Sequence, residues 1–143
     1  MADTVSVLKL TRQGATKVMN GVFEAAGERG DRISVAVVDD GGNLILFARA
    51  DNASLTTQNV ALTKARAAAM TRLLTGKKSG TGTERSDHHA LAITLAAGID
   101  RFCTMDGGIP IKVKGQVIGG VAVSGAGEND PVYAAAGAAA VDV

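Results

Sequence analysis

Hydrophobic positions along the chain repeat with two periods, and their order predicts a series of helices and hairpins. Apolar residues recur every three or four positions over residues 8–26, which is the spacing of one helical face. Largely apolar runs at residues 33–38 and 44–49 flank a short polar turn and predict a β-hairpin. The remaining predicted elements are an alanine-rich helix over residues 54–73, a shorter helix over 87–97, a second hairpin over 105–124 and a final helix over 132–141.

With three strands counted in the last β segment, the order of elements is α-β-β-α-α-β-β-β-α, which predicts an α+β fold. Because hairpins connect the strands, we expect an antiparallel sheet of about five strands flanked by helices. A doubly wound dinucleotide-binding fold would need regular strand-helix-strand alternation, which the pattern lacks. The 143 residues suffice for one domain, to which we assign residues 1–143.

The segment over residues 105–125 carries the clearest indication of a site. Lys114 and Gly115 fall between two β-branched runs and predict the hairpin reversal, where glycine tolerates a positive φ. Gly107 and Gly108 lie at the mouth of this hairpin. A backbone without side chains lets a ligand or a second subunit approach closely, so the segment predicts a binding site without naming its chemistry.

Composition and charge narrow the classes of partner. Fifteen basic and fourteen acidic residues give a formal net charge of +1, and no basic cluster is long enough to neutralise a row of phosphates. Aromatic side chains are also scarce, so we expect no nucleic-acid partner. No apolar run reaches the length of a membrane span, so we expect no membrane partner either. The single Cys103 gives no sign of an oxidising compartment, and a cytoplasmic location is expected.

Two adjacent histidines, His88 and His89, are the only imidazoles in the chain. Neighbouring positions on a helix point about 100° apart, so the pair does not readily bind one metal ion together. One interpretation is a capped helix that begins near Asp87 and carries one exposed and one half-buried imidazole. The other is that one imidazole is a ligand to a metal ion or haem iron, or a general base, because histidine ordinarily titrates nearest to neutral pH.

Lys64 and Arg66 lie on the long alanine-rich helix. An ammonium group buried without a partner is costly, so Lys64 needs an anion if it faces the sheet. In one structural alternative its amine extends to solvent and only its stem packs. The other alternative is a salt bridge with Asp39, Asp40 or Asp106.

Four segments stand out in order along the chain. They are ISVAVVDDGGNL at residues 33–44, ALTKARAAA at 61–69, GGIPI at 107–111, and VIGGVAVSG at 117–125, the last followed by Asp130. Together they resemble the GlcG/HbpS-like haem-binding family, which includes the C-terminal domain of PduO-type corrinoid adenosyltransferases. The resemblance implies an α+β sheet with helices on its faces and homo-oligomers from dimers to octamers. It also implies a pocket at a subunit interface for haem or a related small molecule.

If haem is the ligand, His88 or His89 is the candidate axial ligand to its iron, and Thr104 is a weaker oxygen ligand. Few flat apolar side chains are available for a haem pocket, since the aromatic residues are three Phe and one Tyr. The resemblance gives no single haem-contact motif to match, so the choice of axial ligand rests on the residues of this chain.

An alternative is a cofactor-free lyase, hydrolase or isomerase acting on a small anionic metabolite at the same pocket. Lys64 or Arg66 would hold the anion. His89 or Asp106 would act as acid or base, and the glycine pair 107–108 would donate amide hydrogen bonds. A purely structural oligomeric module is a third hypothesis, and the sequence does not decide whether the protein is an enzyme. The haem and enzyme hypotheses both require the glycine pair, Lys64 and an imidazole to meet around one concavity.

Overall fold

Within the described residues, four antiparallel strands form one sheet, and helices pack on both of its faces. A computed structural model describes residues 2–142, apart from the side chains of residues 29–31. The helices are α1 (Arg12–Ala26), α2 (Thr56–Thr71), α3 (Asp87–Ala97) and α4 (Asp130–Ala138), and short 3-10 turns span Gly27–Arg32 and Gly127–Asn129. The strands are β1 (Ser34–Asp39), β2 (Leu44–Arg49), β3 (Gly108–Val113) and β4 (Gln116–Ser124), in the spatial order β2-β1-β4-β3.

The α+β class and the flanking helices are as predicted, but the expectation of about five strands is wrong. Residues 105–124 form a single hairpin. β3 and β4 join through Lys114 and Gly115, both with positive φ, which confirms the predicted reversal. β4 continues unbroken through Gly119 and Gly120, because both glycines keep their pairing with β1. The segment therefore holds two strands where the predicted order of elements has three.

Alternating side chains of β1 divide the core between the two faces of the sheet. Val35 and Val37 pack with residues of α1 and α4 on one face, whereas Ala36 and Val38 pack with residues of α2 on the other. This division follows from the two-residue period of a strand. The buried residues of α2 are mostly alanines, so this helix lies close to the sheet.

Gly120 permits the close contact between β4 and α2. A Cβ atom there would come within 2.4 Å of the Ala65 carbonyl oxygen and 3.0 Å of the Ala69 amide nitrogen. Because both are backbone atoms of a packed helix, we expect Gly120→Ala to destabilise the protein by about 1–3 kcal/mol. Urea unfolding followed by circular dichroism measures this loss.

Gly82→Ala is a comparison variant that replaces a glycine with a positive φ, which Gly120 does not have. Gly82 has a φ of 81°, and a Cβ atom there would meet nothing within 4 Å. This variant measures the cost of a left-handed backbone alone, about 1–2 kcal/mol. A stability of Gly120→Ala equal to that of the wild type would contradict the close packing of α2 on β4.

The polar turn between β1 and β2 is held by Asp39. Its Oδ1 accepts hydrogen bonds from the backbone N–H groups of Gly41 and Asn43, both at 2.9 Å. Partial burial raises the pKa of Asp39, but the hydrogen bonds from these two residues and the charge of Lys9 lower it more, to below its ordinary value of 3.8. Both carboxylates of this turn, Asp39 and Asp40, therefore have partners within it or beside it.

Helix α3 stands apart from the sheet. None of its residues is buried, and its Leu91 and Leu95 are 62% and 64% exposed. An isolated helix of this length is only marginally stable in water. Its exposed apolar face is also unusual for a helix that no other element covers. Among the described residues, no helix combines the length and apolar character needed to cross a bilayer.

Candidate functional site

A cavity of about 1200 Å³ opens between the loop after α2, the loop before β3 and the start of α4. It is lined by Lys64, by residues 73–80, 82 and 84, by residues 104–106, and by residues 127, 128, 130 and 131. These segments meet because α2 packs closely on β4, and the end of β4 leads through a short turn into α4. The cavity is therefore built from segments that are far apart in sequence.

Lys64 and Asp130 form a buried ion pair at this cavity. The Lys64 ammonium donates hydrogen bonds to Asp130 Oδ2 and to the Val123 carbonyl oxygen, each at 3.1 Å. The side chains of the pair are only 4% and 8% exposed. The other carboxylate oxygen, Asp130 Oδ1, accepts the Ala126 N–H at 2.8 Å. The pair thus joins α2, the end of β4 and the start of α4 at one point.

Lys64 is buried and paired with an anion, which confirms the expectation for a lysine that faces the sheet. The alternative in which its amine extends to solvent is wrong. The predicted partners are also wrong. Asp39 and Asp40 lie at the opposite end of β1 from the cavity, where Asp40 pairs with a different lysine. Asp106 lines the cavity but is exposed, and the buried ammonium pairs with Asp130 instead.

The glycine pair 107–108 lies directly against Lys64. A Cβ atom on Gly107, whose φ is 122°, would come within 2.9 Å of Lys64 Nζ and 2.8 Å of the Val123 oxygen. A Cβ atom on Gly108 would come within 2.4 Å of the Lys64 carbonyl oxygen. The Gly108 N–H donates to Thr75 Oγ1 at 2.8 Å, so this amide is used within the fold. The glycines make room for α2 and for its lysine.

The walls of the cavity combine apolar and charged groups. Leu73, Leu74 and Met105 form what we call the apolar wall, and each is substantially exposed. Lys77 and Lys78, called here the lysine pair, lie on the loop that follows and are also exposed. Acidic side chains line the cavity as well, namely Glu84, Asp106 and Glu128. The lining thus carries three lysines and four carboxylates, and cations for an anionic substituent are concentrated in the lysine pair.

The loop over residues 76–85, which carries the lysine pair, is held by Arg85. The Arg85 Nη1 donates to the carbonyl oxygens of Lys78 at 2.7 Å and Gly76 at 3.2 Å. Its guanidinium carbon lies 5.4 Å from the centroid of the Phe102 ring, within cation–π range. These contacts fix the loop against the body of the protein.

Of the other residues singled out from the sequence, Thr104 and Asp106 line the cavity, and Arg66 does not. The Arg66 Nε donates to the Gly42 carbonyl oxygen at 3.2 Å, and its Nη1 lies 3.8 Å from Asp100 Oδ2. Arg66 follows Lys64 by two positions, so the two side chains leave α2 in nearly opposite directions.

His88 and His89 lie on α3, and both are exposed, so the expectation that one of them is half-buried is wrong. Neither lines the cavity. A single chain brings the glycine pair and Lys64 together without an imidazole, so the expectation that all three meet around one concavity is wrong for the single chain. His88 precedes Leu91 and Leu95 by three and seven positions, which places it on their exposed helical face. In the described part of the chain, no group of three or more His, Cys, Asp or Glu residues is arranged to hold a metal ion.

Cys103 is half-buried just before the residues that line the cavity. Burial raises the pKa of its thiol, and a hydrogen bond with the Met105 backbone and the charge of Lys64 offset this only in part. The thiol therefore stays protonated at neutral pH, which disfavours a nucleophilic role.

Sequence reasoning missed Asp130 and the apolar wall. Asp130 precedes Pro131 at the start of α4, where an acid is common because it complements the helix dipole. Its ion-pair role has no local signal, since it lies 66 residues from Lys64. The one available signal was its place just after the fourth family-like segment.

Comparisons with known proteins agree on one family. A family model described as "Haem degrading protein HbpS-like" matches residues 10–139. Protein GlcG of Escherichia coli K12 is 32% identical over 115 residues, which are 80% of this chain and 81% of that protein. The crystal structure of a double mutant of Streptomyces reticuli HbpS is 31% identical with a TM-score of 0.75, covering 99% of this chain and 92% of that one.

Klebsiella pneumoniae protein ORFY has a similar crystal structure, with a TM-score of 0.81 and 27% identity over 98% of this chain and 95% of that one. The match to the family model spans the sheet, the cavity and its buried ion pair. The chain therefore belongs to the HbpS-like family, as its four co-linear segments indicated.

Proposed function

We propose that this protein binds haem, or a related flat anionic molecule, in the cavity beside Lys64. The observation that carries this proposal is a cavity of about 1200 Å³ in which the apolar wall stands near the lysine pair. Apolar side chains suit the faces of a porphyrin, and ammonium groups suit its carboxylates. Membership of a family described as haem degrading supports the same ligand.

Haem iron also needs a protein ligand, and the lining offers two candidates. They are the thioether of Met105 and the hydroxyl of Thr104, of which methionine is the established type of haem ligand. In this assignment the apolar wall holds the ring and the lysine pair neutralises its propionates. Bound haem would supply redox and oxygen chemistry.

We further propose that a second copy of the chain completes this pocket, so that the functional protein is a homo-oligomer. The support is α3, which exposes Leu91 and Leu95 and buries none of its own residues. Covering this face with another copy removes apolar surface from water. His88, on the same face, would then be the imidazole nearest to an interface.

Titration of the purified protein with haemin tests the binding proposal. We expect a saturable change in Soret absorbance. Met105→Leu keeps an apolar side chain of similar volume but removes the sulfur, so it should change the spectrum of bound haem while binding persists. If His88→Ala or His89→Ala changes that spectrum instead, the iron ligand is an imidazole of α3.

Leu74→Asp tests the place of binding, because it puts a charge into the apolar wall. We expect the haemin affinity to fall by about tenfold or more, since burying an unpaired carboxylate against the ring is costly. Leu55→Asp is the matched control, because Leu55 is 68% exposed, against 64% for Leu74, and lies outside the cavity. Absence of saturable binding, or equal affinity in the two variants, would count against the proposal.

One observation favours the alternative of a cofactor-free enzyme. The buried, ion-paired Lys64 lines the same cavity as Thr104 and Asp106, so groups able to bind and to exchange protons face one space. In this alternative the ligand is a small anionic metabolite, and turnover needs no haem. Activity retained in protein prepared free of haem distinguishes it from the first proposal.

A further inference from the structure

We propose that Lys64 is a reactive amine that forms an imine with a short-chain aldehyde or ketone in the cavity. This activity needs no haem and does not depend on the ligand proposed above. It rests on three features that coincide: a nearly buried amine, a carboxylate in direct contact with it, and a cavity lined by both. The carboxylate is placed to accept the proton that a lysine must lose before its nitrogen can attack a carbonyl carbon.

The geometry leaves Lys64 Nζ one unused donor direction. An ammonium group has three N–H donors, and within the described residues two of them are paired, with Asp130 Oδ2 and with the Val123 oxygen. A Cβ atom on Gly107 would come within 2.9 Å of Nζ, so the missing side chain makes room for the ammonium group itself. Because Lys64 lines the cavity, a small carbonyl group that enters the cavity has a free donor to meet.

Asp130 is the base and acid that imine formation requires. Its Oδ2, 3.1 Å from Nζ, takes one proton from the ammonium. The freed nitrogen lone pair attacks the carbonyl carbon, a C–N bond forms, and the carbonyl oxygen takes up that proton to give a carbinolamine. Nitrogen then loses a second proton, and the hydroxyl leaves with it as water while the C=N bond forms. One lysine ammonium and one carbonyl compound thus yield one protonated imine and one water, with no oxidant or reductant.

The lining indicates the class of carbonyl compound. The apolar wall faces the same cavity as the amine, which favours a short apolar chain attached to the carbonyl. Butanal is therefore a suitable probe. Cyanoborohydride reduces an imine to a stable secondary amine and so records which lysine has reacted.

The test is limited labelling of the wild-type protein with butanal and cyanoborohydride, followed by peptide mass spectrometry. The other lysines of the chain are internal controls, and Lys17 and Lys112 are exposed. If Lys64 were inert, its burial should make it react more slowly than the exposed lysines. If Lys64 is the reactive amine, it should be labelled before them. We expect Lys64 to be labelled at least tenfold faster than Lys17, with a rate that saturates as butanal increases.

The same labelling in concentrated urea removes the folded environment, and the preference for Lys64 should disappear. Asp130→Asn keeps an oxygen acceptor but no base, and it should slow labelling of Lys64 without slowing that of Lys17. Labelling of Lys64 at a rate equal to or below that of the exposed lysines in the folded wild type would overturn the proposal. A preference that persists in urea would overturn it as well.

Discussion

Replacing Lys64 with methionine is expected to destabilise the protein by about 3–5 kcal/mol. Methionine has a similar length and fits an apolar site, but it leaves the Asp130 carboxylate buried without its cation. The loss should be larger than the loss of one hydrogen bond, because an unpaired buried charge also forfeits its hydration. Urea unfolding monitored by circular dichroism measures the change.

The matched control is the double variant Lys64→Met with Asp130→Asn. It removes both charges while leaving an oxygen that can accept the Ala126 N–H, so it should recover a large part of the lost stability. If the double variant is no more stable than the single variant, an unpaired charge is not the cause. If the single variant matches the wild type, the pair is not buried as described.

The second large effect is expected on assembly. Replacing both Leu91 and Leu95 with aspartate puts two carboxylates on the exposed apolar face of α3. An interface that covers this face would have to bury those charges unpaired, so the oligomer should dissociate into monomers. Size-exclusion chromatography with light scattering measures the mass of each species.

Leu55→Asp again serves as the control, since Leu55 is 68% exposed and lies at the start of α2 rather than on α3. It should leave the mass unchanged. A wild-type protein that is already monomeric would contradict the proposed assembly. An oligomer that survives both substitutions would exclude α3 from its interface.

Much of the fold was predictable because local signals agree with the tertiary structure. The helix predicted over residues 8–26 begins at Arg12 because Thr11 Oγ1 caps it, accepting the Gly14 N–H at 3.0 Å. The helix predicted over residues 54–73 ends at Thr71, since Arg72 adopts a left-handed conformation with φ of 65°. Hydrophobic periodicity therefore predicted where these helices lie, and the capping residues determine where they begin and end.

The strand count failed in the last β segment, where the predicted order has three strands and the structure has two. Gly119 and Gly120 are residues that normally weaken or interrupt a strand, yet β4 passes through both. They are needed because Val38 and Ala65 bring carbonyl oxygens to within 2.4 Å of the missing Cβ atoms. A close approach of this kind depends on neighbours far along the chain, and no local pattern reports it.

The site was predictable in part. A lysine among alanines indicated a buried charge, and the glycine pair indicated a close backbone contact. In the structure Lys64 and the glycine pair lie against each other. The partner of Lys64 could not be read from the sequence, because Asp130 resembles an ordinary helix-start acid. The surroundings of His88 and His89 could not be predicted either, because their helix has no buried residues and packs little against the rest of the described chain.

Hydrogen–deuterium exchange in the presence of saturating haemin tests most directly whether the cavity beside Lys64 is the binding site. Peptides that contain residues 73–82 and 104–107 should exchange more slowly with haemin than without it, because the ligand covers their loops. Peptides from α1 and β2, which line no part of the cavity, should be unchanged. Protection confined to other segments, with the cavity loops exchanging at the ligand-free rate, would contradict the proposed site.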